Sequence, residues 1–191
     1  MIRPLRSCLF SILSLVCLIS ITVPPAFADT YDALKKRAEN YFAEGSFKRA
    51  HDLYKQANEG SVPAEEKRWV AFRLADTQWR QEAATNNPDP GNTEEARTAL
   101  DHMVRDIAKD KDKDRVWAET MESLGDFWWL RRNSKNWSAG WRHYQQALDW
   151  WAGAKDIELA RERYLRMAWN MASPPWRDRW YVYGGRCRVL D

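Results

Sequence analysis

Cysteine is nearly missing from this chain: there are three, and Cys8 and Cys17 fall in an N-terminal stretch built like a removable leader. Without that stretch only Cys187 is left, so a disulfide scaffold is excluded and helix packing must hold the fold. Histidine is equally scarce. His51, His102 and His143 stand singly, none with a partner at the i, i+4 spacing a helical metal site uses. No glycine-rich phosphate loop occurs, since Gly184-Gly185 stands alone, and Cys187 has no activating neighbour in sequence. Glu122 and Asp126 share a helix face, but hydrolysis of a glycosidic bond needs two carboxyl groups set across a cleft. An excess of one charge is absent too. The formal +3 includes Arg3 and Arg6 of the leader, which leaves the rest close to neutral and gives a nucleic-acid partner no electrostatic footprint. These gaps predict a protein that is not an enzyme and carries no cofactor and no metal.

The leader itself has a basic start, an apolar run from Leu9 to Val23, Pro24-Pro25 and then Ala26-Phe27-Ala28. That layout predicts a secretory signal peptide over residues 1–28, cleaved after Ala28, and a periplasmic or secreted product. The run is shorter than the ~20 residues needed to span a bilayer, so no membrane span is expected after cleavage. Residues 29–172 read as one helical domain and residues 173–191 as an aromatic and basic tail beginning at Pro174-Pro175. A hydrophobic share of 45% beside 30% charged residues, with mean hydropathy -0.70, suits amphipathic helices.

The stretch Ala38 to Ala57 shows the building unit. Ala38, Tyr41 and Phe42 recur at helical spacing before Glu44-Gly45, and Phe47, Ala50, Tyr54 and Ala57 after it. Gly45 suits a left-handed residue ending the first helix, and Ser46 is placed to cap the second with its hydroxyl. A helix with Trp69, Phe72, Leu74, Ala75 and Trp79 on it runs to about Ala84, and a loop follows over residues 86–91. Asn92 with Glu95 reads as a capping pair for the next helix. The mixed charges of residues 109–115 read as a solvated linker, and helices follow over Val116 to Leu130, Asn136 to about Trp151 and Asp156 to Ala172. Ser46, Asn92 and Asn136 each stand four residues before Ala50, Ala96 or Gly140, with Tyr54, Leu100 and Tyr144 next and Ala57, Met103 and Ala147 after them. Cap, small contact and large knob thus recur in one register three times.

On those residues, and on Leu124, Gly125, Trp128 and Trp137 in the third unit, the chain resembles tetratricopeptide (TPR) repeats. The resemblance implies an all-α, right-handed helical-hairpin solenoid of about three and a half hairpins. It also implies a concave groove lined by the first helix of each hairpin, holding a protein or peptide partner in the cell envelope. Mapped onto this chain, the groove carries an aromatic row of Phe42, Trp79 and Trp129 and an acidic row of Glu39, Asp76 and Asp126, with Trp69 and Trp169 nearby. Such rows suit an extended peptide with apolar and basic side chains. Packing of the same rings between units is the alternative.

A second resemblance lies in SLGDFWWLRRNSKNW and YQQALDWWAGAKDIELARERYLRMAW, which are similar to Trp-rich helical segments near the start of bacterial alpha-2-macroglobulin-like envelope proteins. It implies an N-terminal docking piece using Trp150, Trp151, Trp176 and Trp180. The thioester chemistry of that family is not implied, because its motif is missing. With 12 Trp in the chain, a cell-wall glycan-binding module that stacks sugars on exposed rings is a third reading.

Overall fold

A computed structural model describes residues 30–105, 107, 112–130 and 135–172. The predicted leader, Trp176, Trp180 and Cys187 lie outside the described residues. The fold is all-α: helices α1 (Tyr31–Ala43), α2 (Phe47–Glu59), α3 (Lys67–Ala84), α4 (Pro90–Arg105), α5 (Arg115–Leu130), α6 (Trp137–Ala152) and α7 (Ile157–Ala172) follow one another. A 3-10 turn, Ala64–Glu66, leads into α3, and no strand occurs among the described residues.

Each helix packs on the next in sequence, and the odd helices also meet one another, α3 with α5 and α5 with α7. Alternating knobs and small residues make this possible. Ala50, Tyr54, Leu100, Tyr144 and Ala147 are fully buried or nearly so, and Ala57 and Ala96 are 2% exposed, so the thrice-repeated register is a packing register, with Met103 its half-buried member. Two glycines bring α5 and α6 close together. Gly125 lies under the Tyr144 ring, where a Cβ would stand 2.5 Å from Cδ1, and a Cβ on Gly140 would stand 3.3 Å from the Gly125 carbonyl oxygen. Trp128 and Trp137 of the third unit are half-buried against the larger cluster.

The helix ends show where short-range reading succeeded and where it did not. Gly45 has φ +75, and the amides of Gly45 and Ser46 donate to the carbonyls of Phe42 (3.0 Å) and Tyr41 (2.8 Å), closing a Schellman motif. Asn136 caps α6 through its side chain, which accepts from the Ala139 amide at 3.0 Å. Ser46 makes no side-chain cap; only its carbonyl engages α2, accepting from Ala50. Asn92 is no cap either, because α4 starts earlier. Pro90 occupies the first turn, where its missing N–H costs nothing, and the Asp89 carboxylate accepts from the Gly91 amide at 2.7 Å. Asp114, expected in a solvated run, caps α5 by accepting from the Trp117 amide at 2.8 Å.

Candidate interaction face

The odd helices repeat one spacing. Arg73, Asp76 and Arg80 on α3, Glu119, Glu122 and Asp126 on α5, and Arg163, Arg166 and Asn170 on α7 all stand at i, i+3, i+7, which puts each trio on one helix face. The trio on α5 is wholly acidic, and it lies between two trios that carry two arginines each. Glu39 of α1 continues the row at its other end.

These groups bond across the helices. Arg73 grips Glu39 with two parallel bonds, Nε to Oε1 at 2.9 Å and Nη2 to Oε2 at 2.7 Å, and reaches Asp76 at 3.4 Å. Arg80 joins Asp76 (2.7 Å) to Asp126 (2.6 Å). On the far side Arg163 reaches Glu119 at 3.0 Å and Glu122 at 3.5 Å, and Arg166 also donates to Glu122. Arg115 closes on Glu119 at 2.7 Å. Neutral donors fill the remaining carboxylate positions: Tyr54 on Glu39, Ser123 on Asp76 (2.6 Å), Trp151 on Glu122 (2.6 Å), and Tyr144 (2.5 Å) and Asn170 (2.9 Å) on Asp126.

The carboxylates Glu39, Asp76, Glu119, Glu122 and Asp126 are thus matched in number by Arg73, Arg80, Arg115, Arg163 and Arg166. Burial raises the Asp76 carboxyl, but the Arg80 and Arg73 guanidiniums outweigh it and hold the group below its ordinary range. Burial, with the charge of Arg80 next, lowers Arg166 to about 10, which leaves it protonated at neutral pH. Desolvation offsets much of the Coulombic gain of such buried pairs. Their contribution is to fix which helix faces meet.

The residues expected to line a groove divide into four sets. Asp76 and Asp126 are 1% and 3% exposed and ion-paired, so they do not select basic side chains of a ligand. Trp79 and Trp129 are 2% and 7% exposed and form no open aromatic row. Trp79 sits edge-on to Phe127 and donates to Ser123 Oγ at 2.9 Å, while Trp129 packs on Trp137 and Tyr144. Phe42, Trp69 and Glu39 are half-buried and gather around one cation: the Arg73 guanidinium lies 4.1 Å from the Phe42 ring centre and 4.5 Å from that of Trp69. Trp169 stands apart from them, 70% exposed on α7.

The arginines escaped the sequence reading. Their signal was present, as basic residues at the same i, i+3, i+7 spacing as the carboxylates, but which acid each would reach depends on helix-to-helix geometry. Trp150 and Trp151, expected as a docking patch, are half-buried and buried, and their indole N–H groups go to the Lys113 carbonyl (3.2 Å) and to Glu122. Both border an open cleft of about 870 Å³ between the start of α5 and the end of α6.

His51 faces Thr77 Oγ1 at 3.0 Å and His143 faces Met121 Sδ at 3.4 Å. No cluster of potential metal ligands occurs among the described residues, and no described helix is long and apolar enough to cross a membrane. No family model, curated protein or solved structure matches the chain.

Proposed function

We propose that this chain is a TPR-like right-handed solenoid, exported to the cell envelope, whose odd helices hold an extended segment of a protein partner. On this reading it works by binding and not by catalysis. The packing order, each helix on the next and α3, α5 and α7 on one another, supports the solenoid.

One observation carries the binding reading: Phe42, Trp69 and Glu39 are half-buried and gather around the Arg73 guanidinium, so that end of the odd-helix row keeps a partly open aromatic face beside a charged pair. Phe42 and Trp69 give apolar contact to an extended segment laid across α1 and α3. Because Asp76 and Asp126 are already ion-paired, the ligand preferred on this basis is apolar, in place of the basic peptide that the acidic row alone implied.

A photo-cross-linking amino acid at position 42 or 69, introduced in the producing cell, tests this. Protein adducts at both positions, absent when the probe replaces the exposed Lys48 of α2, are expected. Equal labelling at 42, 69 and 48, or none at 42 and 69, rejects the face.

A further inference from the structure

Helix α7 has a third face that neither the core nor the charged row uses. Met167 and Met171 are buried at 1% and 3%, and Arg163 and Arg166 turn to the carboxylates of α5. On the remaining side Ile157, Tyr164, Leu165 and Trp169 are 75%, 49%, 58% and 70% exposed, the only large hydrophobic residues so exposed among the described ones. Their spacing places them on one broad stripe of the helix. Isolated exposed hydrophobic residues need no explanation, but a contiguous stripe marks an interaction surface.

We propose that this stripe is covered by the same stripe of a second copy of the chain, with the two α7 helices antiparallel about a two-fold axis. The pattern is self-complementary in that register. With Arg161 set opposite Leu165 of the second copy, Ile157 falls opposite its Trp169 and Glu162 opposite its Tyr164. Ile157 and Trp169 therefore meet twice about the axis, and the Tyr164 hydroxyl meets the Glu162 carboxylate. Arg161 lays its methylene stem on leucine while Glu158 of its own chain holds its guanidinium at 2.6 Å.

In this register Glu158 faces Ala168, so no like charges oppose each other across the stripe. Antiparallel packing also sets the N-terminus of each helix beside the C-terminus of the other, the favourable order for their dipoles. Two aromatic and two aliphatic side chains at these exposures offer on the order of 500 Å² per copy. With Arg161, Ala168 and the rim, that approaches the ~800 Å² per partner of an ordinary stable interface. The surface lies away from Arg163 and Arg166, so it is independent of peptide binding on the odd-helix row.

Sedimentation of the purified protein between ~1 and ~100 µM should show a concentration-dependent monomer–dimer equilibrium. Ile157→Asp should weaken it at least ~10-fold by placing a charge against Trp169 of the second copy, with helix content unchanged by circular dichroism. Single-cysteine variants give a second readout that leaves the charge pattern alone. In a background without the native cysteines, Ile157→Cys mixed with Trp169→Cys should form a heterodisulfide, while neither should pair with itself. Like positions would lie ~18 Å apart along the helix, far beyond disulfide reach. A monomer throughout the range, a dimer that Ile157→Asp leaves intact, or self-paired cysteines would each overturn the proposal.

Discussion

The two ends of the described chain are joined to their neighbours by different forces. The α1–α2 hairpin has its own small cluster of Leu34, Ala38, Leu53, Tyr54 and Ala57, against which Leu74 of α3 packs. Across α1, α3 and the turn before α3, the links are ionic or hydrogen-bonded: Lys35 to Glu66 (2.7 Å), Tyr31 to Glu66 (3.0 Å) and Glu39 to Arg73. The α5–α6 pair instead belongs to the large cluster that runs from Phe72 to Met171, where rings lie over glycines. A charged joint depends on every partner being present, whereas a packed one depends on volume. The two regions should therefore fail under different substitutions.

Arg73→Met is expected to have the largest effect. It leaves Glu39, Asp76 and Glu119 without their shared cation, and removing one partner of a buried network costs roughly 3–5 kcal/mol. Hydrogen exchange should speed up first in α1 and α2, with α5 and α6 still protected. Uniform loss of protection along the chain would show that the first hairpin is not a separable unit.

Gly125→Ala comes next and acts on the other region. The new methyl would lie 2.5 to 3.0 Å from three atoms of the fully buried Tyr144 ring, whose hydroxyl is held by Asp126. The ring has no free direction in which to yield. A loss of about 1–3 kcal/mol is expected in denaturant unfolding, with exchange in α5 and α6 rising and α1–α2 left as before. A neutral result would mean that the α5–α6 approach is looser than the ring-on-glycine contact implies.

That contrast also explains what could be read from the residues alone. Helices and knob positions were legible because they depend on neighbours three to seven places away: Tyr54, Leu100 and Tyr144 are buried where the repeated register put them. Glu39, Asp76 and Asp126 do share the odd-helix row. Their meaning was not legible, since Arg80 bridges Asp76 to Asp126, 46 residues further on, and Glu122 is held by arginines 41 and 44 residues away. A carboxylate looks available in a sequence until the reach of a distant guanidinium is known. Trp79 and Trp129 misled for the same reason, because a large ring at the edge of a helix face turns toward whichever neighbour has room. Asn92 failed as a cap because Asp89-Pro90 met the same need two to three residues earlier, and Ser46 failed because its amide closes α1 while its hydroxyl makes no bond to the α2 amides.

The smallest expected effect compares the two regions through their histidines, one in each. His51 of α2 lies against Thr77, with Asp52, Lys55 and Lys48 around it, and His143 of α6 lies against Met121, with Asp101 and Arg142 nearby. Burial is the main cause that lowers each imidazole below its ordinary value of 6.5, and it outweighs the carboxylates that oppose it. The unfolded chain then binds a proton more readily than the folded one. Each ring contributes stability that is complete above 6.5 and is lost as the pH falls toward its folded value. The thermal midpoint should drop by on the order of a few degrees between pH 7 and pH 5. His143→Leu should flatten part of that slope through α5–α6, and His51→Gln a smaller part through α2–α3. If the slope survives both substitutions, the imidazoles are not its source, and the carboxylates of the charged row become the groups to titrate.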